Sequence, residues 1–112
     1  MKQIQRQGDV LLIPTAKPTS KTTAIPLEAG DLVVLTHSKV TDHTHAIEVE
    51  SHGSKPTVDF VLNTLTLERY IHARRPVTVR HEEHGALELP AGWYEVRIQR
   101  EYERGAVRNV AD

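Results

Sequence analysis

The chain has 112 residues, 38% of them apolar, which is the size of one globular domain able to bury somewhat over half of its unfolded surface. Fourteen basic against fifteen acidic residues leave a formal charge of −1, which excludes the global field that drives nucleic-acid or anionic-membrane binding, and the lack of cysteine excludes disulfides and thiolate metal sites. No run approaches the roughly 20 apolar residues of a membrane span, and Met1 to Gln7 lacks the apolar stretch of a signal peptide; the chain reads as cytoplasmic, with no membrane partner.

The first predicted strand, Val10-Leu11-Leu12-Ile13, is opened by Gly8-Asp9 and closed by Pro14, and the second, Asp31 to Thr36, is opened by Gly30. Such short apolar and β-branched runs between Gly and Pro read as buried strands. Between them, residues 15–29 are rich in Thr, Pro, Lys and Ser, as expected of an exposed loop. A third strand covers roughly His43 to Glu50, followed by a turn at Ser51-His52-Gly53-Ser54. Residues 57–72 continue as extended structure, with a short helix through 60–69 as the competing reading. Val77 to Arg80 is a short strand after Pro76, Ala86 to Leu89 is another, and Pro90-Ala91-Gly92 turns the chain into the longest strand, Trp93 to Tyr102. The expected fold is all-β: one domain over residues 1–112, a barrel or two-sheet sandwich of seven or eight short strands, with a short helix in Tyr102 to Asp112 as an added expectation.

Basic residues are segregated: all five Lys lie between residues 2 and 55, and eight of nine Arg between 69 and 108. Glutamates interleave with those arginines, so a solvated, ion-paired face is expected in preference to an anion-binding one. Trp93, Glu95, Arg97 and Gln99 share one face of the last strand, while Arg100 and Tyr102 take the other parity. One aromatic per face is a poor stacking platform for bases, so a nucleic-acid partner is not expected.

The chemical signal lies in His43-Thr-His45 and His81-Glu-Glu-His84. Imidazole is the commonest protein ligand for transition metals. Strand alternation puts His43 and His45 on the face of Ile47 and Val49, and His81 on that of Val77 and Val79. Buried neutral imidazoles without partners cost about 1–3 kcal/mol each, a penalty that ligation would remove. The expected metal ligands are His43, His45, His81 and His84, with Glu82 or Glu83 as a further ligand or as general base to a bound water. Three histidines with a vacant position suit catalytic zinc, and two with a carboxylate suit non-haem iron; zinc is preferred. Asp42 is a candidate orienting acceptor. His37, His52 and His72 stand singly and are left out of the site.

His43-Thr-His45, Glu50 five residues on, and Leu89-Pro90-Ala91-Gly92 together resemble the two signatures of the cupin family. In that family His-x-His and a following Glu bind metal, and a Pro-x-Gly turn precedes another His. The resemblance is partial, covering about a third of the chain: Trp93 and Tyr94 stand where the second-motif His would be. It implies a small β-barrel with a metal site. The segments Arg6 to Leu12 and His81 to Asp112 are also similar to small uncharacterised bacterial or phage-type proteins, which implies no activity.

The leading expectation is therefore a metal-binding all-β protein with hydrolase or oxygenase chemistry on a small-molecule substrate. The alternative is a non-enzymatic interaction module, homodimeric through an exposed edge strand or the Arg-rich C-terminal segment, with structural or pH-sensing histidines.

Overall fold

Alternation of apolar and polar residues carries most of this chain into extended structure, and a computed structural model describes residues 3–19, 21–37, 44–81 and 85–98. Among them are twelve strands: β1 (Gln5–Gln7), β2 (Val10–Thr15), β3 (Thr22–Ile25), β4 (Leu32–His37), β5 (Thr44–Glu48), β6 (Ser51–His52), β7 (Lys55–Pro56), β8 (Val58–Asn63), β9 (Arg69–Ala73), β10 (Val77–Arg80), β11 (Leu87–Leu89) and β12 (Gly92–Ile98). Strands exceed the seven or eight expected because short polar pieces such as β1, β6 and β7 also pair. No helix forms among the described residues, so residues 60–69 resolve to β8, a turn and the start of β9. The proposed helix over 102–112 lies outside the described residues.

A six-stranded sheet in the order β1-β2-β12-β9-β8-β3 faces a four-stranded sheet in the order β11-β10-β5-β4, and β6-β7 forms a separate ribbon. Every pairing is antiparallel. Both sheets stay open, so of the two expected architectures the sandwich is the one realised. One apolar cluster fills the space between them. Val10, Leu12, Ile71, Tyr94, Val96 and Ile98 come from the six-stranded side, and Val33, Leu35, Ile47, Val49, Val79 and Leu89 from the region of the other sheet.

Tyr94 is the largest fully buried side chain among the described residues. Its hydroxyl donates to the Pro90 carbonyl at 2.7 Å, which ties the Pro90-Ala91-Gly92 turn to the core and satisfies the one polar atom that the ring carries inward. Burial raises the pKa of this phenol. Residues 15–29 are exposed or only partly buried where described, but they are not all loop. Thr22–Ile25 pairs with β8 as an edge strand, because β-branched residues fit a half-covered pleat.

Gly8-Asp9 does more than open a strand: it is the two-residue turn of a β1–β2 hairpin, with Gln7 opposite Val10. Gly8 takes a φ of 60° at the first turn position, the conformation that a type II′ turn asks of glycine. Because Gln7 pairs with the inward Val10, the hairpin turns Gln7 into the sandwich, where it is 3% exposed. That position is what builds the site.

Candidate functional site

Alternation along β5 turns His45, Ile47 and Val49 inward, as expected, and His45 is 5% exposed. His81 follows the last residue of β10 and is partly buried. The two rings come together with centroids 4.1 Å apart and planes tilted by 35°. β10 pairs directly with β5, Arg80 lying opposite Ala46, so the next residue arrives beside His45. Pairing of β10 with β5 thus brings these two imidazoles together, His45 buried and His81 partly buried.

Sequence reasoning missed the group that organises them. The Gln7 amide nitrogen donates to the Val79 carbonyl at 2.9 Å and to the Gly85 carbonyl at 2.8 Å. Carbonyls only accept, so this end of the amide must be the NH2, and the oxygen must be the end that meets His45 Nδ1 at 2.8 Å. An amide oxygen only accepts, so His45 Nδ1 carries a hydrogen. In the neutral ring Nε2 then holds the lone pair, which faces Asp9 Oδ1 at 3.8 Å, beyond hydrogen-bond reach and within ion-pair range if the ring is protonated. The signal that could have found Gln7 and Asp9 is the Gly-Asp two-residue turn, a hairpin marker when strands flank it.

The strand on the other side of His45 is irregular. β4 and β5 pair Val34 with Ala46, then Thr36 with His45, which leaves Leu35 as an extra residue and makes a bulge opposite the imidazole. The Leu35 side chain is fully buried, and its carbonyl accepts from Arg69 Nη1 of the facing sheet. Bulges bend a strand and re-aim its side chains; this one lies at the site and is capped by a cation.

A ring whose Nδ1–H is fixed by an oxygen acceptor presents Nε2 as a ligand or base, the orientation that outer partners of metal-bound histidines commonly enforce. Among the described residues no group of three or more His, Asp or Glu is arranged to hold a metal ion. Of the expected ligands, His45 and His81 are brought together. His43, His84, Glu82, Glu83 and the candidate acceptor Asp42 lie outside the described residues. Glu50, which the cupin resemblance would add, is exposed and takes the parity opposite to that of His45.

A second aromatic pair stands on the outer face of the six-stranded sheet. His72 stacks on Trp93 at 4.5 Å with planes 7° apart. Its Nδ1 lies 3.3 Å from Asp59 Oδ2, and Arg74 donates to Asp59 Oδ1 at 2.8 Å. Beside them, Tyr70 donates its hydroxyl to Glu68 at 3.0 Å, and Arg97 pairs with Glu95 at 2.7 Å and with Glu68 at 3.6 Å. Burial, the Glu68 hydrogen bond and the Glu68 and Glu95 charges push the Tyr70 pKa up to about 12, against the opposing pull of Arg97. The outward face of Trp93, Glu95 and Arg97 is thus as expected, and Arg74 and Arg97 are engaged by carboxylates in the manner of an ion-paired face.

A family model described as a domain of unknown function (DUF8820) matches residues 6–99. No curated protein and no solved structure matches the chain. Among the described residues no helix is long and apolar enough to cross a membrane.

Proposed function

The chain therefore belongs to the DUF8820 family, a domain of unknown function, and from the Gln7–His45–His81 arrangement we propose that it is a small metal-binding β-sandwich protein. The observation that carries this reading is the tautomer that Gln7 imposes: a buried imidazole whose Nδ1–H is committed offers Nε2 beside a second imidazole. That is the pre-orientation a metal ligand needs. In this reading His45 and His81 are the inner pair, His43 supplies the third nitrogen, His84, Glu82 and Glu83 compete for what remains, and Asp9 is a carboxylate close to the same Nε2. Zinc is favoured over iron, since it accepts imidazole and carboxylate and needs no redox partner. With a vacant position, such an ion would activate water for hydrolysis, and Glu82 or Glu83 would take the proton.

Metal analysis of untagged protein purified without chelator, followed by zinc titration with calorimetric detection, tests the proposal. About one bound ion per chain is expected, lost in His45→Ala and in His81→Ala and kept in His72→Ala. A protein that carries no metal and takes up none on titration overturns it.

A further inference from the structure

An antiparallel sandwich strand ordinarily shows one apolar and one polar face, and an unbroken apolar run belongs to a strand covered on both. β4 reads Leu32-Val33-Val34-Leu35. Val33 and Leu35 enter the core, while Leu32 and Val34 are 63% and 45% exposed on the other side. Val34 lies opposite Ala46, and Ala46 opposite Arg80, so the row is apolar over two strands before it reaches a charge. With Ala86 and Glu48 these residues line an open groove across the outer face of the four-stranded sheet.

β4 is also an edge strand, and it differs from the other three edges. β1 is three residues long and carries Arg6, β11 is three residues long, carries Glu88 and ends at Pro90, and β3 is four residues long between Lys21 and Pro26. Short length, charge and proline are the devices that keep edges from pairing. Leu32 to Val34 has none of these, and the bulge that bends β4 comes after them, at Leu35.

We propose that a second copy of this chain covers this face about a two-fold axis. The choice of occupant rests on charge. Among the described residues the charged groups lining the groove are one acid and one base, Glu48 and Arg80, both exposed, with Thr44 and His81 beside them. An acidic or a basic partner would meet repulsion at one of them. In an isologous interface the same patch meets itself, so Glu48 faces the partner's Arg80 on either side of an apolar centre of Leu32, Val34 and Ala46. Clustered apolar residues inside a charged rim are the usual anatomy of a specific interface.

Sedimentation equilibrium of the untagged chain over micromolar to submillimolar concentration tests this. A reversible dimer is expected. Leu32→Lys with Val34→Lys should weaken it by about tenfold or more while leaving the circular dichroism unchanged and, at dilutions where both chains are monomeric, the melting curve close to that of the parent, since both side chains are exposed in the single chain. Glu48→Arg and Arg80→Glu should each weaken it, because they set like charges face to face, and the double swap should restore it. A monomer over the whole range, a dimer indifferent to Leu32→Lys with Val34→Lys, or a double swap that fails to recover would each overturn the proposal.

Discussion

Among the described residues two histidine ring pairs are built on neighbouring strands, one with tryptophan and one with a second histidine, and they differ in what surrounds them. His72 and Trp93 lie on an outer sheet face, with Asp59 and Arg74 completing a partly exposed ion pair. His45 and His81 lie at the margin of the core, with one ring buried and its hydrogen committed to an amide oxygen. The first arrangement gains from stacking and from a screened charge pair, each worth about 1 kcal/mol or less. The second uses a buried glutamine to fix one tautomer, and its bonds to the Val79 and Gly85 carbonyls make that glutamine costly to replace. The contrast teaches that distance between rings does not mark a functional histidine; commitment of one nitrogen, leaving the other directed, does.

Four substitutions sharpen that contrast. Gln7→Ala has the largest expected effect: it strands the Val79 carbonyl and the His45 Nδ1–H in a buried setting. At about 1–3 kcal/mol for each unsatisfied group, the loss of unfolding free energy in urea should be on the order of 2–5 kcal/mol. A loss below about 0.5 kcal/mol would mean that water or another group replaces the amide.

His72→Ala should cost only about 1 kcal/mol, the scale of one stacked pair and one partly exposed hydrogen bond. Trp93 is the single tryptophan, so its emission should shift to the red as the ring loses its cover. If His72→Ala proved as damaging as Gln7→Ala, the distinction between the two pairs would fail.

The smallest effect concerns the outer network at high pH. Tyr70 has an ordinary pKa of 10.0 and a folded one of about 12. Between these values the unfolded chain has lost the proton and the folded chain keeps it, so stability declines as pH rises from about 10 towards about 12. Tyr70→Phe should flatten that part of the stability profile, and Glu68→Gln should move the phenol's absorbance titration downwards. An unchanged titration in Glu68→Gln would remove Glu68 from the account.

Much of the sandwich was legible in the chain, since β2, β4, β10 and β12 are apolar or alternating runs with Gly and Pro at their ends. The inward turn of His45 followed from its parity with Ile47 and Val49. What escaped was polar. Gln5–Gln7 has no apolar period, so neither β1 nor the role of Gln7 could be read without recognising Gly8-Asp9 as a hairpin turn. The bulge at Leu35 was hidden for another reason: an extra residue in an apolar run changes the pairing register without changing the composition. His72 stood alone in sequence, and only the pairing of β9 with β12 brings it beside Trp93.

The most direct test of the central claim is a long-range proton–nitrogen correlation spectrum of the histidine side chains, recorded during a zinc titration. In the zinc-free protein His45 is expected as the Nδ1–H tautomer, and zinc is expected to shift its Nε2 resonance at one equivalent while Nδ1–H persists. A His45 whose nitrogens do not respond to zinc, or whose proton sits on Nε2 in the free protein, would contradict it.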